Sequence, residues 1–275
     1  MPDSPSASDT MRAIENAEVQ AWLDMYAAIP PDYGQRYSPE ILQVDGVTLT
    51  RCRAIPFPHF NAVLDLGVAA PATERTVDAV MATYSEAGIA RFVVLHNPHA
   101  EPASLPGWLE ARGFSPRGAW ERVYRPAGEL IASLPETDGA VEIVSRATGE
   151  EWAGFLVRLY GLPTGPWLAE LVERPGWTHA VLRRDGRIVA ARSLFASGGW
   201  GWMGVEAPVP GLMAPSWADD HALVDALLRE GLRSGVTHFA ADIEAPSPGR
   251  DTPAYANWKA LGFEWPYIRT HFVFG

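Results

Sequence analysis

The sequence predicts an α/β (α+β) protein of two tandem domains, each a mixed, mainly antiparallel sheet flanked by helices. Three observations predict this fold. Residues 216–244 read as a helix, a glycine and a strand, which together form half of a βαβ unit. A similar helix and strand occur earlier, at residues 73–96. Residues 178–205 carry three strand-like runs joined by short turns, which is typical of neighbouring antiparallel strands.

The stretch at 216–244 has the clearest pattern. Its leucines recur at spacings of three and four residues and therefore share one helix face: Leu223, Leu227, Leu228 and Leu232. Ser216 and Asp219 form a capping box at the start of this helix, and Gly235 ends it. Residues 236–244 then predict a short strand.

The earlier helix and strand are related to this stretch by one constant offset. Three residues keep their type in both copies: Val77 and Val224, Gly88 and Gly235, and Phe92 and Phe239. Each copy continues into a further helical turn that ends in Gly-Phe, at 113–114 and at 262–263. Because the matches form an ordered set at one offset, they indicate a duplicated unit.

The duplication predicts a first domain at residues 1–128 and a second at 140–275, joined by a Pro-, Gly- and acid-rich linker at about 129–139.

The sequence patterns predict the elements of each domain in order. The first domain begins with a helix at 9–28, which Pro30 and Pro31 end, and strands at 48–54 and 62–68. A helix at 73–87, a strand at 90–96, a helix at 105–112 and a closing strand at 119–124 follow. For the second domain the patterns predict a strand at 140–145, helices at 149–160 and 167–173, strands at 178–183, 188–195 and 200–205, the helix and strand of 216–244, a helical turn at 255–261 and a closing strand at 267–274. The Asp-Gly pair at 185–186 predicts the hairpin turn.

Composition excludes several classes of function. The 275 residues carry a net charge of −11, which argues against binding to nucleic acid or to an anionic membrane surface. No apolar run approaches the ~20 residues that span a bilayer. Residues 1–10 lack a signal-peptide pattern and Cys52 is the single cysteine, so we expect a cytoplasmic protein, monomeric or homodimeric. His96 and His99 have metal-ligand spacing, but their loop lacks further ligands, so no metal site is predicted.

The order of elements in the second half resembles the GNAT superfamily of acetyl-CoA-dependent N-acyltransferases. The matching segments are Gly186-Arg187-Ile188-Val189-Ala190 in the hairpin, Ala222 to Gly235 as the central helix, and an Asn257…Leu-Gly-Phe263 ending. The first half looks like a shortened copy. The whole chain therefore resembles the tandem GNAT-like acetyltransferases, whose first unit is often degenerate, and this implies acetyl-CoA or another acyl-CoA as the acyl donor.

The cofactor loop departs from the family pattern, which places glycines and an Arg or Gln before the central helix. Here residues 215–220 contain neither Arg nor Gly, and Asp219 and Asp220 would repel a pyrophosphate by roughly 1–4 kcal/mol per charge pair. Alternatively, the two carboxylates only complement the helix dipole. Only the second half has a long loop here, at 207–215, so a cofactor site is expected there. The resemblance implies these cofactor-binding residues: Val205, Ser216, Trp217, Ala218 and Asn257.

The resemblance also implies two catalytic residues. Glu206 follows the strand at 200–205, where GNAT-like enzymes often keep a carboxylate that deprotonates the amine. The alternative is an exposed carboxylate at a strand end. The family's usual acid, a Tyr four residues before the glycine of the Gly-Phe ending, falls on Trp258, which cannot donate a proton to a thiolate. Tyr255, one helical turn earlier, is the substitute.

Candidate substrate-binding residues lie on the neighbouring strands. Asp242 and Glu244 alternate on one strand and share a face, which suits recognition of an amine or another cation, unless they are simply exposed at the strand end. Trp202 belongs to a set of tryptophans in the second half that either pack the core or line an aromatic pocket. His238 and His271 are interpreted as packing or surface residues rather than catalytic ones.

The function predicted is acyl transfer from acyl-CoA to an amine of a small molecule. Two alternatives stay open. One is an enzyme with the same fold that has lost CoA binding and carries out other chemistry in the same cleft. The other is a non-catalytic binding or dimerisation module.

Overall fold

The computed structural model describes residues 7–128, 137–207, 217–243 and 248–275. The chain divides into two compact units. Unit 1 is Met1–Trp120 together with Tyr267–Gly275, and unit 2 is Glu121–Pro266. Within the described ranges, no helix combines the length and the apolar character that crossing a bilayer requires.

Unit 1 is a mixed sheet with helices. Its elements are α1 (Ala7–Ala27), α2 (Pro31–Tyr37), β1 (Glu40–Val44), β2 (Val47–Arg51), β3 (Ala62–Val63), α3 (Glu74–Glu86), β4 (Phe92–His96) and α4 (Leu105–Ala111). Strands β1, β2 and β3 pair antiparallel, and β3 pairs parallel with β4. The buried face of α3 packs on this sheet through Val77, Val80 and Tyr84.

Unit 2 repeats this plan with longer strands. Its elements after the strand β5 (Ser115–Pro126) are β6 (Ala140–Ile143), α5 (Gly149–Tyr160), α6 (Gly165–Ala169), β7 (Trp177–Arg184), β8 (Arg187–Ser197), β9 (Trp200–Ala207), α7 (Trp217–Arg233), β10 (His238–Ile243) and α8 (Pro253–Ala260). Strands β6 to β9 form an antiparallel meander, and β9 pairs parallel with β10. Each unit thus has one parallel pair of strands and one helix between the paired strands in sequence, α3 in unit 1 and α7 in unit 2.

The two closing strands belong to the opposite units from those expected. From Glu121 onward β5 lies in unit 2, where it pairs antiparallel with β10. The last strand, β11 (Glu264–Phe274), pairs antiparallel with β4 of unit 1 through Thr270 to Phe274. Glu121–Pro126 therefore belongs to unit 2 and Tyr267–Gly275 to unit 1.

Helix α7 buries its leucine face, as the sequence pattern predicts. Leu223, Leu227 and Leu228 of α7 are buried in one cluster with Phe239 of β10, and Leu232 packs at its edge. Gly235 has a φ of +82°, a left-handed conformation that glycine adopts without strain and that ends the helix.

Two elements of unit 1 were not predicted, and one strand was predicted too long. Pro30 and Pro31 follow the end of α1 as predicted, but Pro31 also begins the short helix α2, because proline fits the first position of a helix. Strand β1 was not predicted, although Asp45 and Gly46 join it to β2 in a tight hairpin with φ of +49° and +81°. The strand predicted at 62–68 is confined to Ala62–Val63.

A pair of helical glycines tests the packing of unit 2. A Cβ on Gly231 of α7 would lie 2.6 Å from the Phe239 ring, whereas one on Gly154 of α5 would meet only the flexible end of Arg158 at 3.3 Å. We expect Gly231→Ala to lower the free energy of unfolding by about 1–3 kcal/mol through overpacking. Gly154→Ala should leave it unchanged or raise it by up to ~1 kcal/mol. Urea-induced unfolding measures both, and equal effects would contradict this packing.

Candidate functional site

The parallel strands β9 and β10 separate at their C-terminal ends. They pair from Trp200 and His238 to Met203 and Ala241, and both strands then continue, to Ala207 and to Ile243. Two parallel strands that stop pairing leave an opening with backbone groups along its sides. A ligand with an extended, amide-containing chain can bind to such edges.

A β-bulge in β9 lies at this opening. Ala191 of β8 lies opposite Ala207, and Ser193 lies opposite Gly204, so β9 has one extra residue in this interval. Val205, at the bulge, has a φ of +50°, which is unfavourable for a β-branched residue. Such strain persists only where the surroundings impose it, and it concentrates at functional sites.

Ser193 of β8 lies beside the bulge and bonds to His179. The Ser193 hydroxyl lies 3.4 Å from the Val205 carbonyl oxygen and 2.7 Å from His179 Nδ1. His179 Nε2 lies 3.1 Å from the Leu171 carbonyl oxygen and therefore carries a hydrogen. Burial lowers the pKa of His179 to about 4, so its ring is neutral and Nδ1 accepts from Ser193.

Arg192 is the centre of the polar site. It lies on β8, is buried, and stacks over the Trp258 ring, 5.2 Å from the centroid. Its Nε and Nη2 atoms donate to Asp220 Oδ1 at 3.2 and 2.8 Å, and Nη1 forms an ion pair with Glu206. One buried guanidinium therefore serves two carboxylates, which leaves the trio with a net charge of −1.

Glu206 follows the bulge and keeps some access to solvent, since 21% of its side chain is exposed. Burial raises the pKa of Glu206 to about 7. The Arg192 guanidinium lowers this pKa, while the Asp220 and Asp242 carboxylates raise it. The Tyr160 hydroxyl donates to the main-chain oxygen of Glu206. A carboxylate with a pKa near 7 suits general-base chemistry at neutral pH.

Asp219 and Asp220 are not free charges at the start of α7. Both side chains are buried, and Arg184 and Arg192 pair with Asp219 and Asp220 respectively. Thr137 also donates to Asp219, at 2.7 Å. The expected repulsion of a pyrophosphate is therefore offset by two arginines of the hairpin strands. The predicted partner in the capping box, Ser216, lies outside the described residues.

Asn257 supports the arginine site from α8. Its Nδ2 donates to Asp220 Oδ2 at 3.3 Å, and its Oδ1 accepts from His221 Nδ1 at 2.7 Å. Both ends of this amide are thus engaged by buried protein groups. Of the other predicted cofactor-binding residues, Val205 lies at the bulge, and Trp217 and Ala218 lie half-buried in the first turn of α7.

Tyr255 lies in a second polar cluster. Its hydroxyl donates to the buried carboxylate of Glu121 on β5, to which Arg250 also donates at 2.7 Å. The Tyr255 ring packs edge-on against Trp265. Glu206 and Tyr255 therefore bind different partners, Arg192 and Glu121.

Of the predicted substrate residues, Trp202 and Asp242 lie on one face of β9 and β10, because Trp202 pairs with Ala240, two residues before Asp242. Asp242 Oδ2 accepts from Arg122 Nη1 at 2.9 Å, and its charge also acts on Glu206. Trp202 is buried, and its ring covers Gly204 so closely that a Cβ there would lie 2.1 Å away. Glu244 lies outside the described residues.

Sequence reasoning missed Arg192 and Arg184, although a signal was present. Arg192 interrupts the apolar run Ile188–Phe195, and a charge in the middle of a central strand needs a buried partner. That pattern would have predicted a carboxylate across from β8. It would not have identified which of the acidic residues of unit 2 supplies it.

The equivalent opening in unit 1 is closed. The chain after β4 bonds directly to the chain after β3, because Glu101 N donates to the Gly67 oxygen and Ala72 N donates to the Glu101 oxygen, both at 2.8 Å. A Cβ on Gly67 would lie 2.6 Å from the Glu101 oxygen. Thr73 and Thr76 cap the start of α3. These bonds join the two chain segments directly at this point of unit 1, and a small cavity lined by Gly67, Val68 and Asn97 lies beside them.

Comparison with known proteins gives the fold but no close relative. No protein-family model and no curated protein match the sequence. A GCN5-related N-acetyltransferase from Kribbella flavida superposes with a TM-score of 0.64, covering 96% of this chain and 95% of its own at 13% identity. The chain has the GCN5-related N-acetyltransferase (GNAT) fold.

Two further structures extend this result. A tandem GNAT protein from the clavulanic acid biosynthesis pathway has a TM-score of 0.54, covering 98% of this chain and 96% of its own at 13% identity. A GNAT from Sphaerobacter thermophilus has a TM-score of 0.53, covering 73% of this chain and 65% of its own at 17% identity. The predicted GNAT fold of this chain, a mixed and mainly antiparallel sheet flanked by helices, is confirmed. At these identities the likeness is one of fold.

Proposed function

We propose that unit 2 transfers an acyl group from an acyl-CoA to an amine of a small molecule, with Glu206 as the general base. One observation carries this proposal. A carboxylate with a pKa of about 7 follows a strained bulge at the point where β9 and β10 stop pairing. An opening for an extended donor and a base poised for neutral pH therefore lie side by side.

The acyl donor would enter the opening between β9 and β10. The arm of CoA that carries the thioester is extended and contains two amides, which matches the unpaired backbone edges beyond Met203 and Ala241. The start of α7 would lie near the phosphates. Its N–H groups favour anions, and Arg184 and Arg192 offset the charge of Asp219 and Asp220.

The residues implied by the GNAT resemblance divide between two roles in this proposal. Val205 and the first turn of α7, with Ser216, Trp217 and Ala218, would contact the donor. Asn257 would act indirectly, because its amide is engaged by Asp220 and His221. Trp202 would hold the shape of the opening from beneath Gly204.

The reaction uses Glu206 to remove a proton from the substrate ammonium group, directly or through water. The amine nitrogen then attacks the thioester carbonyl carbon, the C–N bond forms, and the C–S bond breaks with its electron pair on sulfur. The nitrogen gives up its second proton as the amide forms, and the thiolate takes up one proton, which Tyr255 would donate and then regain from the nitrogen directly or through water. Asp242, whose carboxylate acts on Glu206, and Glu244 would favour a cationic substrate over a neutral one.

The pH dependence of turnover tests the base. Glu206 must be ionised to accept a proton, so kcat/KM for acetyl-CoA and a panel of primary amines should rise with pH through an apparent pKa near 7. Thiol release measured from pH 5.5 to 8.5 gives this profile. A profile that stays flat across pH 7 would rule out Glu206 as the base, and no thiol release with any amine would argue against the acyl-transfer proposal.

We propose Tyr255 as the proton donor to the thiolate, although its bond to Glu121 gives it a structural role as well. Its hydroxyl hydrogen is directed to the Glu121 carboxylate. Tyr255→Phe removes one donor from a buried charge, so we expect the free energy of unfolding to fall by about 1.5–3 kcal/mol. If Tyr255 also donates to the thiolate, kcat at 20 °C, where the variant is folded, falls by about 10²-fold or more. An unchanged kcat in a destabilised protein would show that Tyr255 stabilises the fold through Glu121 and does not donate the proton.

A further inference from the structure

His221 begins a chain of buried polar contacts that ends at Glu206. His221 Nδ1 donates to Asn257 Oδ1 at 2.7 Å, and Asn257 Nδ2 donates to Asp220 Oδ2 at 3.3 Å. Arg192 donates to the other Asp220 oxygen at 2.8 Å and pairs with Glu206. Asn257 and Arg192 therefore share Asp220 as an acceptor, so a change in one bond alters the other.

His221 holds one end of the Asn257 amide. An amide has one acceptor end and one donor end. The ionised Asp220 carboxylate only accepts, so it takes the NH2 group, and the Asn257 oxygen then faces His221 Nδ1, which carries the hydrogen. Without that N–H, the amide is held at the Asp220 end alone, and its 3.3 Å bond to Asp220 is weakened.

Nothing else in the site explains a buried histidine at this position. His221 is 3% exposed, and its Nε2 atom has no hydrogen-bond partner among the described residues. It does not touch the bulge or Glu206 in any described contact. Its one described polar bond is the one that orients Asn257.

We propose that His221 is a positioning residue that adjusts the basicity of Glu206 through Asn257, Asp220 and Arg192. Asp220 and Glu206 compete for one guanidinium. When Asn257 donates to Asp220, that carboxylate depends less on Arg192, and more of the cation's field acts on Glu206. Loss of the Asn257 donor shifts Arg192 toward Asp220 and makes Glu206 more basic.

Each charged group near Glu206 raises or lowers the pKa of Glu206 in a known direction. Arg192 of β8 lowers the pKa of Glu206, and Asp220 of α7 and Asp242 of β10 raise it. Tyr160 of α5 bonds to its main-chain oxygen. His221 acts on the Arg192 contribution, because Arg192 is the member of the chain that pairs with Glu206.

The test compares His221→Leu, which removes the N–H donor, with His221→Asn, which keeps a donor near the position of Nδ1. The pKa of Glu206 is read in the full-length protein by carbon NMR of 13C-carboxyl glutamate, with Glu206→Gln to assign the signal. We expect this pKa to rise by about one pH unit in His221→Leu and to stay near the wild-type value in His221→Asn. His238→Asn, on β10 beside Trp200, is the matched control and should cause no change.

An unchanged pKa in His221→Leu, or the same rise in both His221 variants, would overturn the proposal. If His221→Leu does not fold, Asn257→Leu breaks the next link and should raise the same pKa. The effect of His221 on the pKa of Glu206 can be measured without turnover. Only its consequence for catalysis rests on the proposed function. A protein that transfers no acyl group but shows the shift would refute the function and keep the chain of hydrogen bonds.

Discussion

Glu206→Gln should abolish most acyl transfer while the protein stays folded. The amide has the shape of the carboxylate and can still accept from Arg192, but it cannot take a proton from the amine. Loss of a general base costs typically 10²–10⁴-fold, so we expect kcat to fall by about that factor. The rise of kcat/KM through pH 7 should disappear with it. Thiol release at saturating acetyl-CoA measures the effect.

Glu142→Gln is the control for this variant. Glu142 lies on β6, its side chain is 40% exposed, and it pairs with Arg183 at 2.7 Å, away from the bulge. The Glu142→Gln protein also loses one negative charge in unit 2, and it should keep the wild-type rate of acyl transfer. A Glu206→Gln protein with activity close to that of the wild type would mean that another group, or water alone, deprotonates the amine.

Arg192→Met should give the largest loss of stability. Methionine fills much of the same space, but it leaves the buried carboxylate of Asp220 without its cation. Breaking a buried pair by removing one partner costs about 3–5 kcal/mol, so we expect the free energy of unfolding to fall by that amount in urea. Adding Asp220→Asn removes the uncompensated charge and should recover part of the loss.

Arg51→Met tests whether burial of the ion pair causes the loss of stability expected for Arg192→Met. Arg51 and Glu40 are also 2.6 Å apart, but their side chains are 25% and 46% exposed. An exposed pair contributes only about 0–1 kcal/mol, so this variant should stay close to wild type. Equal losses in Arg192→Met and Arg51→Met would show that the Arg192 site does not depend on buried charge.

Most helices of this chain could be predicted from local pattern, but the partners of its closing strands could not. The leucines of α7 and the cap at Thr73 are signals within one turn or two. Strands β5 and β11 both follow a Gly-Phe ending and look alike in sequence. Which sheet each joins depends on pairing with β10 or β4, far along the chain, and no local period encodes that choice.

The site was predictable in position and less so in chemistry. Glu206 was placed at the end of β9 by the order of elements. Its raised pKa depends on Arg192, Asp220 and Asp242, which come from three other elements. The left-handed Val205 depends on a register shift between β8 and β9, which sequence alternation does not reveal. The charges of Asp219 and Asp220 were misread because their arginines lie on the hairpin strands.

Calorimetric titration of the full chain with acetyl-CoA tests the central claim most directly, with free CoA as the comparison. We predict binding in the micromolar range, about −8 kcal/mol, with one molecule bound per chain. One site is expected because β9 and β10 stop pairing beyond Met203 and Ala241 in unit 2, whereas bonds between Gly67, Ala72 and Glu101 join the equivalent segments of unit 1. Glu206→Gln should bind equally well. No binding up to millimolar acetyl-CoA, or two sites per chain, would contradict the account.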